Sequence, residues 1–311
     1  MAAPASGQSA PADSFPIKPV RIIVPFAVGG PTDFLARLIG QKLNELWNQP
    51  VLVDNKPGAG ANIGTDAVAK AAADGHTIGI VSNAYVINPS LYSKLPFDTL
   101  SDLTGVTQIV SSDMVLVAHP SVAANNVDEL IALAKSKPGQ VTYASVGTGS
   151  GLHLAGEMFK TATGTDLLHV PYKGTSPAQV DLLAGRVALM FAHLSSVLQH
   201  LKSGKLKALA VLDSKRHPAL PAVPAMGETV PGIELSGMFG IVTAAGTPRE
   251  RVRKLSADIV KVLHMPEVKE KIGSMGGETL VGSTPDQFDM HLRSEIRKWA
   301  KAVKDSGATA D

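Results

Sequence analysis

Residues 21–37 read RIIVPFAVGGPTDFLAR, and the pattern changes character halfway. The run through Val24 is apolar and β-branched, as a buried strand requires. Two glycines and a proline interrupt it. From Pro31 the apolar residues Phe34, Leu35, Leu38, Ile39, Leu43, Leu46 and Trp47 recur at helical spacing. Proline suits a first helical turn, where its missing N–H would have no partner. Gly29 and Gly30 lack Cβ, so their backbone N–H groups can approach an anion, and the helix start adds partial positive charge. Asp33 reads as a helix cap or as a partner of Arg37 at i+4.

The alternation continues outward. A strand at 51–53 ends in NKPGAGAN, a helix follows at 61–73, and a strand at 76–81 completes β-α-β-α-β. That order implies parallel strands with right-handed crossovers. Two strands at 106–110 and 114–118 flank an SSD turn. Near Pro120 the alternation starts again, with helices at 127–135, 152–161, 177–183 and 194–201 and strands at 141–145, 167–170, 187–191 and 206–212. The proline-rich segment 215–231 is a connection, 238–243 a last strand, and only helices follow, at 248–263, 266–275 and 285–305. The fold class is therefore α/β and two-lobed, with a second α/β lobe (121–236) inserted in the first (17–120 and 237–311). A chain of 311 residues exceeds what one growing core usually holds. Small ligands bind beyond the carboxyl ends of such strands, here in a cleft between the lobes.

Three further turns face that cleft. In SNAYVINPS, Ser82 and Asn83 offer neutral donors where a helix-like turn begins and Asn88–Pro89 ends it, and a plain loop is the competing reading. Residues 143–157, YASVGTGSGLHLAGE, are richest. Ser145, Thr148 and Ser150 carry hydroxyls, Gly147, Gly149 and Gly151 free the backbone, and His153 shares a helix face with Ser150. The spacing is neither the dinucleotide fingerprint nor the nucleophile elbow. It suits carboxylate or sulfate, or else a tight turn with Ser150 as N-cap. In HVPYKGTSPA, Tyr172 offers a ring edge and Lys173 a charge, unless the lysine is merely solvated.

Composition narrows the chemistry. A net charge of +2 without a basic cluster gives no footprint for nucleic acid. The absence of cysteine removes thiolate sites and disulfides. The nine histidines form no metal-binding spacing, so neither metal nor cofactor is called for. The polar first residues lack the apolar core of a secretion signal. They resemble the leader of an exported protein whose signal Met1 has replaced, or a disordered cytosolic tail.

From about residue 15 to the C-terminus the chain resembles the periplasmic solute receptors of tripartite tricarboxylate transporters, the Bug family. The likeness is carried by FPIKPVRIIVPFAVGGPTDFLAR, VLVDNKPGAGANIGTDAVAKAAADGHTIG, VTYASVGTGSGLHLAGEMFK, LHVPYKGTSPAQVDLLAGRVALMF and GSTPDQFDMHLRSEIRKWAKAVKDSG, in that order. It implies a type II periplasmic binding protein, monomeric, that closes on a small carboxylate and delivers it to membrane permease subunits. It further implies a carboxylate subsite between Phe26–Gly30 and Thr148–Ser150, with bridging waters near Ala27 and Val170. After ALMF, relatives often carry acidic or amide residues; here stand Ala192, His193, Leu194 and Ser195. That departure argues against an amine on the ligand and for a second anionic or hydrogen-bond-accepting end, met by His193 or Ser195. A sensor docking on a membrane signalling receptor and a hydrolase using Ser150 and His153 are the competing functions.

Overall fold

A computed structural model describes residues 15–310; the leader expected over 1–16 lies almost wholly outside them. β1 (Val20–Val24) is flanked in parallel by β2 (Val51–Asn55) and β3 (Thr77–Val81). The crossovers are α1 (Pro31–Trp47) and α2 (Asn62–Ala69). α1 buries Leu35, Leu38, Ile39 and Leu43 in one core with Ile22, Ile78 and Ile80. A second parallel set repeats the scheme: β5 (Val141–Ser145) lies between β6 (Leu167–Pro171) and β7 (Leu189–His193). Around it run α4 (Val127–Ser136), α5 (Gly151–Thr163), α6 (Thr175–Leu183) and α7 (Leu194–Lys202). Both parallel sets were legible from turn chemistry and apolar periodicity.

The junction differs from expectation. β4 is one strand, Leu103–Ala118, where two strands and an SSD turn were expected. Residues 103–113 pair antiparallel with β9 (Ser236–Ala244), and 114–118 pair with β7 and with β8 (Lys207–Val211). The polar run stays inside a strand because its side chains find distant partners. Ser112 is hydrogen-bonded to His193 and Glu278, and Asp113 lies 3.1 Å from His217. One 16-residue strand thus belongs to both halves of the molecule.

Two more elements go beyond the sequence reading, which expected only a helix-like turn after Asn83 and no strand after 238–243. SNAYVINPS forms a helix, α3 (Ala84–Leu91), despite Pro89 within it. The C-terminal region holds not only α8 (Arg249–Leu263), α9 (Pro266–Met275) and α10 (Pro285–Ser306) but also a short strand, β10 (Glu278–Leu280), antiparallel to β4. α10 starts with a capping box of Thr284 and Gln287 and buries Phe288, Leu292, Trp299 and Val303. Its last turn reaches the inserted half, where Thr161 donates to the Ser306 carbonyl. Among the described residues no helix is long and apolar enough to cross a membrane.

Candidate ligand crevice

Five helices begin at one small cavity between the halves. Pro31 and Thr32 open α1, Ser82 and Asn83 precede α3, Ser150 to Leu152 open α5, Thr175 opens α6, and His193 precedes α7; all line it. Phe26, Met114, Val146 and Phe239 supply the apolar remainder. No lining residue is Lys, Arg, Asp or Glu. The positive potential therefore comes from helix starts, each equivalent to roughly half a charge. The cavity measures about 20 Å³, enough for a water.

The first turn is braced from behind. Gly29, at φ +92, donates its N–H to Asp33 Oδ2 at 3.0 Å. Asp33 also accepts from Arg37 and from Asn55 Nδ2 at 2.9 Å. Burial opposes the Asp33 charge, but hydrogen bonds from Arg37, Gly29 and Asn55 outweigh it and hold the carboxyl below its ordinary value. Of the two expectations for Asp33 the pair with Arg37 is met and the helix cap is not, since its other contact is the Gly29 N–H ahead of the helix. Gly29 is corrected: its N–H serves that brace instead of facing a ligand. Gly30 is the N-cap of α1, and no side chain caps this helix. A Cβ on Gly30 would stand 3.1 Å from Thr175 Oγ1, so glycine lets α1 and α6 approach.

The inserted turn has a neutral brace. Ser150 is the N-cap of α5 and accepts from the His153 N–H. His153 Nδ1 accepts from the Gly149 N–H at 3.3 Å, and its ring stacks on His169 at 4.2 Å. His169 Nε2 lies 2.7 Å from Ser145 Oγ, which also accepts the Gly147 N–H. Burial lowers the His153 pKa, and burial followed by repulsion from His153 pushes His169 down to about 3. Both rings are neutral at ordinary pH. His153, Ser145 and Gly149 are therefore corrected from ligand contacts to supports of the turn. The Ser150–His153 pair is corrected too, since Ser150 Oγ meets the His153 backbone N–H while the ring Nδ1 meets Gly149.

Direct contacts tie the halves. Ala27 donates its N–H to the Lys173 carbonyl at 2.9 Å, Ser176 Oγ to the Val28 carbonyl, and Tyr92 OH to the Thr148 carbonyl at 3.2 Å. A Cβ on Gly60 would lie 2.2 Å from that Thr148 oxygen. Thr148, Tyr172 and Lys173 line a neighbouring opening of about 380 Å³, which also includes Phe26 and Gly60. The Tyr172 hydroxyl is engaged by Asp181 at 2.7 Å, so its phenol serves α6. Lys173 is exposed and contributes its carbonyl. Val170 pairs with Ala144 inside the sheet and lines neither space.

At the rear, Asn83 lines the crevice, but its amide is used by β9. Nδ2 donates to the Ser236 carbonyl and Oδ1 accepts from the Met238 N–H at 2.7 Å. His193 is buried, and burial pushes its pKa down to about 4. Ser195 does not face a ligand; it donates to Glu278 Oε1. Sequence reasoning missed Thr32 and Thr175, hydroxyl residues at helix starts, and Met114 and Phe239, whose strands gave no local sign of the cavity.

Two lobes sharing a central strand, with helix starts converging between them, define a protein of the periplasmic-binding type. The model of the tripartite tricarboxylate transporter family receptor matches residues 35–308, and the chain belongs to that family. BugT of Bordetella pertussis strain Tohama I is 39% identical over 308 residues, covering 97% of this chain and 94% of BugT. The solved structure of R. palustris Rpa4515 with adipate matches with a TM-score of 0.90 at 34% identity, over 95% of this chain and 99% of that one. MatC (Rpa3494) from Rhodopseudomonas palustris with bound malate matches at 0.88 and 29% identity, over 93% and 100%.

Proposed function

We propose that the protein is a periplasmic receptor that closes its lobes, 17–120 with 237–311 against 121–236, on a small organic acid. In this reading it acts as a monomer, makes and breaks no covalent bond, and hands the acid to membrane permease subunits of a tripartite tricarboxylate-type transporter. One observation carries the proposal: five helix starts converge on a crevice whose walls hold no charged side chain. Such a site favours a carboxylate through N–H groups and hydroxyls, because buried partial charges act strongly where water is excluded. Adipate in one relative and malate in another support a dicarboxylate. Closure follows from binding, since only the shut form engages both lobes.

Thermal-shift titration with adipate, malate, monocarboxylates and amino acids tests this. A dicarboxylate at a hundred times its dissociation constant should add about 2.7 kcal/mol to the stability. A response confined to amino acids, or turnover of any acid that binds, would overturn the reading.

A further inference from the structure

His193 forms the rear wall of the crevice, and its ring is held in place. A Cβ on Gly237 would come within 2.5 Å of its Cε1, and Phe239 leans on its face with centroids 4.9 Å apart. Nδ1 lies 2.9 Å from Ser112 Oγ, while Nε2 meets no hydrogen-bond partner among the described residues. Behind the ring, Ser112 Oγ is 2.9 Å from Glu278 Oε1, and Ser195 Oγ reaches the same oxygen at 2.5 Å.

A hydroxyl has one proton to donate, and a carboxylate has none. With Glu278 ionised, both serines donate to it, and Ser112 can then only accept from His193. The ring proton sits on Nδ1, and Nε2 turns a lone pair to the crevice. With a proton on Glu278 Oε1, the chain can reverse: Glu278 donates to Ser112, Ser112 donates to Nδ1, and Nε2–H faces the crevice. We propose that Glu278 determines specificity at this end of the crevice: its proton, relayed through Ser112, makes His193 a donor to a second oxygen-bearing end of the ligand. This rests on the carboxylate-receptor reading above.

The surroundings favour the protonated form. Glu278 is half-buried as a residue, but Oε2 is sealed and has no partner among the described residues. Burial, followed by repulsion from Asp113 of β4, outweighs the two serine hydrogen bonds and pushes the carboxyl up to about 8. Asp113 itself faces His217 and Asp213. From β7 comes the neutral His193, and from α7 Ser195 and the apolar Leu194 and Leu198, which press on Gly277 and Gly276. No Lys or Arg acts on Glu278 among the described residues, on α9 or elsewhere. An acid thus does reach the turn where the sequence showed none, from β10 and in uncharged form.

The ligand-free protein tests the relay directly, through the ¹⁵N signals of His193. The neutral ring should carry its proton on Nε2 at about pH 6.5 and on Nδ1 at about pH 9. In Glu278→Gln, and in Ser112→Ala should the first variant not fold, the tautomer should stop following pH. Adipate and malate should bind the unaltered protein about tenfold more weakly one pH unit above 8, since about one molecule in ten keeps the proton there. In Glu278→Gln that decline should vanish. A tautomer that ignores pH, or that still switches in the variants, overturns the relay whether or not either acid binds. Failure of both acids to bind with the switch intact would count against the receptor reading alone.

Discussion

The turn before α1 is braced by charge, whereas the turn before α5 is braced by neutral imidazoles. Both tie down a glycine N–H, Gly29 on Asp33 and Gly149 on His153. Both leave the next helix start aimed at the crevice. The requirement is geometric, so either chemistry meets it, provided the brace sits behind the turn and adds no ionised group to the lining. The two braces should therefore answer differently to salt and to pH, although they serve one site.

The largest effect should come from uncoupling the two turns. Gly60 of the first half meets the Thr148 carbonyl of the inserted turn, so Gly60→Ala forces them apart. Overpacking costs about 1–3 kcal/mol. Affinity for adipate, measured by calorimetry, should fall about tenfold to a hundredfold. Gly60 also sits at φ +58, and the strain on alanine there, about 1–2 kcal/mol, is read separately from the melting temperature of the free protein. Unchanged affinity would mean that closure does not bring these turns together.

The braces can be compared next. Asp33→Ala strands the Gly29 N–H and takes one partner each from the Asn55 amide and Arg37, which keep the Phe26 carbonyl and Asn55 Oδ1, and should cost about 1–3 kcal/mol in urea unfolding. Arg37 is half exposed, so the loss should shrink in about 0.5 M salt. His153→Phe keeps a ring against His169 but removes the acceptor of Gly149. It should cost about 1–2 kcal/mol, with no salt dependence. Equal salt responses would erase the contrast.

Acid should separate the braces with the smallest energies. The histidine pKa values of the inserted half are depressed on folding, at His169 to about 3 and at His193 to about 4. Unfolding lets these groups take up protons, so their contribution is present above about pH 6.5 and is lost as pH falls through the folded values. Asp33 is also depressed, but from 3.8, so the first brace should hold until about pH 4 and fail below it. Glu278 opposes this trend: its raised value gives a contribution complete below about 4.5 and lost as pH rises through about 8. Hydrogen exchange at Gly149 should accelerate as pH falls below about 6.5, while Gly29 stays protected down to about pH 4, once intrinsic rates are divided out. Parallel behaviour of the two amides would show that the braces are chemically alike.

The helix starts were legible because glycine, proline and apolar spacing are local signals. The direction of polar side chains was not. His153 and Ser145 looked like cleft residues, yet they turn inward to Gly149 and His169. Asn83 spends its amide on β9, 153 positions away in sequence. The SSD run looked like a turn because its partners His193, His217 and Glu278 lie far along the chain. The helix-like start of α3 was legible but Pro89 hid its extent, and β10 is too short to show a period. Local pattern fixes where a chain turns; distant partners decide which polar groups remain free.

The central claim is that helix-start amides from both lobes hold one acid between them. Amide NMR during titration with adipate measures this most directly. The account requires that signals of Thr32 and Asp33 in the first lobe and of Gly151 and Leu152 in the inserted lobe move together, saturating at one concentration. Movement confined to one lobe, or confined to the separate cavity between α8 and the start of α10, would contradict it.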